Sequence, residues 1–173
     1  MIRKMVEKDY EELNNLVQQV HELHYLNRPD IYINEDPLPL EYFNEMLNDD
    51  TAVNYVYEED NKICGLLMAT KKSNHVLPIL KQRTTYFIED IVVDKNSRRK
   101  GIGKKLYNFL KEKANKENVD AIELNVWGFN ESAIKFYESL GMSVRNLRYE
   151  QLLNNPHVET KNYEVKTTSK VTK

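Results

Sequence analysis

Cysteine is almost missing from this chain: 173 residues contain one, Cys64. A lone thiol excludes an internal disulfide and a cysteine-rich zinc site, and its place in the apolar run from Ile63 to Ala69 reads as a buried structural thiol in a reducing compartment. Long apolar runs are missing too. None approaches the ~18 residues of a membrane span, and Met1 to Glu7 holds no apolar signal core, so the expectation is a cytoplasmic protein off the membrane. Excess charge of either sign is also absent: 25 basic against 27 acidic residues leave a formal net charge of −2 and no global attraction for nucleic acid. Basic residues gather only at Arg98, Arg99, Lys100, Lys104 and Lys105, too short a cluster, without stacking aromatics, for a nucleic-acid face.

Glycine is scarce, with five residues, which makes Gly101 and Gly103 informative. The segment Arg98-Arg99-Lys100-Gly101-Ile102-Gly103 follows a β-type run, Tyr86 to Val93, and opens a helical pattern from Lys104 to Asn115. A strand, a glycine-containing loop and a helix N-terminus make a place for phosphate, because residues without a Cβ let backbone N–H groups approach an anion where the helix dipole adds positive potential. Taken alone, the two glycines suit a plain strand-to-helix connection better than a phosphate site. A Walker loop is excluded because Lys104 follows Gly103 without the G-K-[ST] order, and a dinucleotide fingerprint because its third glycine position is Leu106.

Elsewhere the pattern is mixed α/β. Ile2 to Val6 reads as a short strand, and Asp9 with Glu12 as a capping box opening a helix from Tyr10 to Tyr25 whose apolar stripe is Leu13, Leu16, Val17, Val20, Leu23 and Leu26. Pro29, Pro37 and Pro39 interrupt it before a second helix, Leu40 to Leu47. Ala52 to Tyr57 and Lys62 to Thr70 read as strands joined through Glu59-Asp60-Asn61, a hairpin signal. Lys71 to Thr84 carries no decisive pattern; then come a strand, Tyr86 to Val93, a helix, Gly103 to Lys116, a strand, Ala121 to Val126, a helix, Glu131 to Leu140, and a final strand, Val144 to Leu152. Residues 1–153 are expected to form one domain and 154–173 a polar, mobile tail in which Tyr163-Glu164-Val165 suits edge pairing.

Three segments occur in the order found in one family. Ile88-Glu89-Asp90-Ile91-Val92-Val93, the R-x-x-G-x-G from Arg98 to Gly103, and the run from Asn130 through Tyr137 to Met142 resemble the GNAT superfamily of acyl-CoA-dependent N-acyltransferases. The likeness is close from Tyr86 to Leu152, and the preceding strand-helix-helix-strand-strand order is similar to that fold. The Ile88-Glu89-Asp90 stretch looks like that of spermidine/spermine N-acetyltransferases and their bacterial relatives. The resemblance implies an α/β (α+β) domain with a mixed, mostly antiparallel central sheet flanked by about four helices. It implies acetyl-CoA as cosubstrate, no metal, and a homodimer for which Val144 to Leu152 supplies an edge. Backbone N–H groups around Arg99, Lys100, Gly101, Ile102, Gly103 and Lys104 would then bind the coenzyme A pyrophosphate, with charge added by Arg98, Arg99 and Lys100. Ile91, Val92 and Val93 would offer main-chain groups at a splayed strand end to the pantetheine arm, as an added strand would. Asn130, Ala133 and Tyr137 are the remaining cofactor contacts it implies, and Asn130 suits an N-cap equally well.

The chemistry of acyl transfer explains why two further groups are wanted. A primary amine with pKa ~10.4 is ammonium at neutral pH, with only ~1 in 10³ molecules carrying the free lone pair. Glu89 is the candidate acceptor of that proton, directly or through a water, since strand alternation sets it on the face of Phe87 and Ile91. A departing thiolate, with a parent pKa of ~8.5, gains from a proton donor, and Tyr137 suits that role. Direct attack in a ternary complex is expected, and Cys64 gives no reason for an acyl-enzyme. The acceptor is expected to be a small-molecule or peptide amine; Glu22, Asp30, Glu35, Asp36, Glu89 and Asp90 would suit a cation, or are solvated surface. His21 and His24 fall one residue short of H-E-x-x-H and read as pocket lining or packing. A coenzyme A-binding sensor without turnover is the alternative that the same motifs leave open.

Overall fold

A computed structural model describes residues 1–74 and 77–153. The tail from residue 154, including Tyr163 to Val165 and His157, and also His75, lie outside the described residues. Five strands, β1 (Ile2–Lys4), β2 (Tyr55–Glu59), β3 (Lys62–Asn74), β4 (Arg83–Val93) and β5 (Ala121–Leu124), form one sheet in chain order. Neighbours are antiparallel except β4 and β5, which run parallel. With helices α1 (Tyr10–Asn27), α2 (Leu40–Asn48), α3 (Ile102–Lys116) and α4 (Glu131–Ser139), this is the mixed, mostly antiparallel α/β architecture expected. Two compact units make up the chain: 1–125, with the sheet and α1 to α3, and 126–173, with α4 among its described residues.

Within the first unit the two sheet faces are covered differently. Leu13, Leu16 and Val17 of α1 and Phe43 of α2 bury one face with Val56, Leu66 and Val92. On the other face α3 sits hard against β3. A Cβ built on Gly65 would lie 2.8 Å from Ile102 Cγ2 and 3.1 Å from Leu106 Cδ1, so only glycine admits the first turn of the helix this close. Because Leu66 pairs with Val92, and Leu67 with Ile91, Val92 faces α1 while Ile91 faces α3.

Several elements depart from the sequence reading for physical reasons. Asp9 does not cap α1; its carboxylate accepts from Val6 N at 2.9 Å and from Arg3, while Glu12 accepts from Ile63 N at 2.8 Å, tying α1 to β3. α1 runs to Asn27, but its apolar stripe stops being core after Val20: Leu23 and Leu26 are 40% and 69% exposed. The hairpin turn is Asp60-Asn61, both at positive φ (52° and 58°), as a two-residue turn between twisted strands requires. β2 begins only at Tyr55, Ala52 making an isolated bridge to Thr70. The undecided segment 71–84 is resolved by longer strands, β3 to Asn74 and β4 from Arg83, while β5 stops at Leu124. No strand forms over 144–152 among the described residues, and Val144, Leu147 and Tyr149 are exposed. Residues of high β-propensity stay irregular when no ladder pairs their backbone and no core takes their side chains, and with that strand goes its argument for a dimer edge.

Candidate functional site

The end of β4 and the loop into α3 are held mostly by main chain. Asp94 N donates to the Cys64 carbonyl at 3.0 Å, Ser97 N to the Asp94 carbonyl at 2.8 Å, and Arg98 Nε to the Val93 carbonyl at 3.2 Å. α1 clamps the same corner: Gln19 donates to Asp94 Oδ1 at 3.1 Å and accepts from Lys95 N at 3.0 Å. Arg99 and Gly101 then adopt positive φ, 64° and 74°, so the chain alternates hand just before α3. Such alternation turns successive N–H groups toward one point.

The first helical bond from this loop is Lys105 N to the Gly101 carbonyl, at 3.0 Å. Upstream of it Ile102, Gly103 and Lys104 occupy the first turn, where amides have no intrahelical acceptor. Ile102 is buried beside Gly65, so its side chain anchors the turn against β3. The flanking cations are not equivalent. Lys100 lies 4.0 Å from Glu59 and Lys105 donates to the Tyr57 hydroxyl at 3.1 Å, whereas Arg99 and Lys104 are exposed without an ion-pair partner among the described residues. Donors, dipole and charge fit a pyrophosphate.

β4 provides a second feature beside this loop. Its parallel pairing with β5 runs only from Thr85 to Ile88, so Asp90 to Val93 are laddered on the β3 side alone. Main-chain groups of Ile91, Val92 and Val93 therefore lie on a strand end that β5 leaves uncovered. That suits an extended amide-bearing ligand. The β3 register also shifts here: Met68 pairs with Asp90 but Ala69 with Ile88, leaving Glu89 as the extra residue of a β-bulge.

The bulge changes the face argument made from alternation. Glu89 Oε1 accepts from Thr70 Oγ1 at 3.4 Å and from Lys72 Nζ at 3.2 Å, and Lys72 lies 3.8 Å over the Phe87 ring. Glu89 therefore keeps the face of Phe87 but not that of Ile91, which the inserted residue sends to the α3 side. Asp90, opposite Met68, falls on the same face as Glu89. Burial, and next the Glu89 charge, push the Asp90 carboxyl up to about 6. The sequence reading gave Asp90 no separate role, and a strand bulge leaves no period-2 signature when both residues at it are acidic.

In the second unit, Asn130 caps α4, its Oδ1 accepting from Ala133 N at 3.1 Å. Phe136 and Tyr137 are both half-buried, with ring centroids 5.1 Å apart at 62°. The acceptor-side candidates divide. Asp30 pairs with Arg28 at 2.8 Å and Asp36 accepts from Asn14 Nδ2 and Leu38 N, so both hold local structure, while Glu22 and Glu35 are exposed. His24 stacks on Tyr32 at 5.1 Å, and His21 Nε2 lies 2.8 Å from the Ile33 carbonyl, which is packing. Burial, then the His21 charge, lowers the His24 pKa. No group of three or more His, Cys, Asp or Glu gathers for a metal among the described residues, and no helix there is long and apolar enough to cross a membrane. Gly65 and Gln19, which fix the loop, were missed; an isolated glycine inside an apolar strand run is the signal for the first.

Comparison with known proteins places this geometry. A mutant of the BH1408 protein from Bacillus halodurans is 34% identical with a TM-score of 0.85, covering 88% of this chain and 99% of that one. An uncharacterized N-acetyltransferase from the pepI 3′ region of Lactobacillus delbrueckii subsp. lactis is 38% identical over 56 residues, so this chain spans 32% of the length of that relative and 32% of its own. Aminoglycoside N-acetyltransferase AAC(6′)-Iy, solved with CoA, shares the fold at 17% identity and a TM-score of 0.64, with 88% of this chain and 100% of that one covered. The acetyltransferase (GNAT) family model matches residues 18–142, through the bulged strand and the α3 loop, and the chain belongs to that family.

Proposed function

We propose that residues 1–153 form an N-acetyltransferase that moves an acetyl group from acetyl-CoA to a primary amine of a small molecule or peptide by direct attack in a ternary complex. The observation that carries this reading is the loop from Arg98 to Lys104, whose positive-φ residues and first-turn amides meet the uncovered end of β4. When bound, acetyl-CoA supplies the activated acyl group as a thioester. Arg99, Lys100, Gly101, Ile102, Gly103 and Lys104 hold the pyrophosphate through backbone N–H groups, helped by the α3 dipole. Arg99 and Lys104 add charge there, whereas the Arg98 guanidinium also braces the Val93 carbonyl. Ile91 to Val93 align the pantetheine arm as an added strand.

Glu89, directly or through a water, takes the ammonium proton, and the Tyr137 hydroxyl protonates the departing sulfur; Asn130, Ala133 and Tyr137 are the remaining cofactor contacts in this reading. Holding both reactants in one geometry supplies much of the acceleration. The CoA complex of the aminoglycoside enzyme, a protein of the same fold, supports the donor, and that enzyme's substrate supports an amine acceptor. We also place the protein in the cytoplasm and expect a homodimer.

The test is thermal unfolding with and without acetyl-CoA, together with free-thiol release across polyamines, aminoglycosides, amino acids and peptide N-termini. Stabilisation with turnover on one class names the acceptor, and no stabilisation at saturating acetyl-CoA removes the reading. Tyr137→Phe should lower kcat by ~10²-fold with little change in acetyl-CoA affinity; an unchanged rate takes Tyr137 out of the mechanism.

A further inference from the structure

We infer that Asp90, rather than its neighbour Glu89, is the group that takes the proton from the acceptor amine, Glu89 serving as the adjacent fixed charge. This rests on the acyl-transfer reading above and reassigns one role within it. Consecutive strand residues normally point to opposite faces. Here Met68, Thr70 and Lys72 share one face of β3; Asp90 pairs opposite Met68, and Glu89 is bonded to Thr70 and Lys72, so the bulge turns both carboxylates to the α1 side. The two acids thus share one face, next to the strand end that β5 leaves uncovered.

Their surroundings separate their roles. Glu89 is exposed, and its charge is already answered by Lys72 and Thr70. Asp90 is half-buried and has no hydrogen-bond or ion-pair partner among the described residues. On that face Leu13, Leu16, Val17 and Val20 of α1 belong to one apolar cluster with Met68 of β3, the residue opposite Asp90, and Lys72 is turned to Glu89. Burial, and next the Glu89 charge, push that carboxyl up to about 6, close to a working pH and well placed for proton transfer.

An ammonium nitrogen becomes an amide by shedding two protons. Asp90 takes the first, freeing the lone pair; the C–N bond then forms as the C–S bond breaks, and the second proton reaches the sulfur, through Tyr137, to give the free thiol. Asp90 returns its proton to water.

Asp90→Asn and Glu89→Gln test the assignment on the full chain. Asp90→Asn should lower kcat/KM by ~10²-fold or more and abolish the rising limb near pH 6, with acetyl-CoA stabilisation intact. Glu89→Gln should keep that limb but move it to lower pH, because a repulsive charge is gone. A second readout needs no turnover: a carboxyl whose pKa rises on folding costs stability as pH climbs from its unfolded value toward 6. Wild type should therefore lose unfolding midpoint relative to Asp90→Asn between pH 4 and 7, and run parallel to it above. Loss of the limb in Glu89→Gln with its retention in Asp90→Asn overturns the assignment, as does parallel stability of Asp90→Asn and wild type from pH 4 to 7. Wild type that acetyl-CoA stabilises but that turns over no amine removes the transfer reading itself, a failure distinct from either.

Discussion

The corner from Asp94 to Lys105 and the stretch from Val20 to Pro39 belong to the same unit yet are built by opposite means. In the first, amide-to-carbonyl bonds, two positive-φ residues and a glycine seat on β3 set the geometry. In the second, side chains do it: Arg28 with Asp30, His24 on Tyr32, Asn14 with Asp36, while Leu23, Leu26, Ile31 and Ile33 stay exposed. A backbone-built site marks the sequence only where glycine is forced, and it does so legibly. A side-chain-built stretch leaves no such mark, and this is why the loop into α3 was legible in the sequence and the stretch from Val20 to Pro39 was not.

The largest blow to the backbone-built corner is Gly65→Ala. Its new Cβ meets Ile102 and Leu106 inside contact distance and the Val92 carbonyl at 3.3 Å, so α3 must back away from β3. Overpacking of this kind costs ~1–3 kcal/mol, a fall of several degrees in Tm, and the displaced first turn should bind acetyl-CoA more weakly. Gly101→Ala separates sterics from conformation: nothing lies within 4 Å of its Cβ, but φ is 74°. Its expected cost is ~1 kcal/mol of left-handed strain, read by the same thermal scan. Equal losses from both would mean that the close approach at Gly65 does not govern the corner.

Legibility followed the same divide elsewhere. The β4 to α3 passage lies within three residues of the expected bounds because its hydrophobic periods switch cleanly there. What escaped was tertiary. The Glu89 bulge shifts register without altering composition, Asp9 and Glu12 were diverted to Val6, Arg3 and Ile63, and 144–152 lacked a pairing partner that no local pattern reveals. Leu23 and Leu26 continue a helical stripe past the point where anything covers it.

Charge should matter less than backbone at the corner. Arg99→Gly combined with Lys104→Ala removes both exposed cations and spares the positive φ at residue 99. Acetyl-CoA affinity should weaken only a few-fold, ~1 kcal/mol, at low ionic strength, and the difference should shrink toward nothing by ~0.5 M salt as screening removes it. Titration calorimetry at two salt concentrations checks this; a hundredfold, salt-independent loss would mean that side chains rather than amides hold the anion.

The smallest effect should appear on the side-chain-built stretch, and it concerns pH. Burial, then His21, holds the His24 imidazole below its ordinary value, so folding favours the neutral ring. The sign follows from linkage: stability tied to His24 is fully present above its unfolded pKa of ~6.5 and is lost as pH falls through the lower folded value. Protonation would put a cation beside His21 and against the Tyr32 ring it stacks on. Amides from 20 to 36 should therefore exchange faster at pH 5.5 than at pH 7.5, after correction for intrinsic rates, whereas those from 94 to 105, held by main-chain bonds that do not titrate, should keep their protection. His24→Gln should erase the difference. Equal acid loosening of both stretches would break the comparison, because the two would then share one opening rather than two.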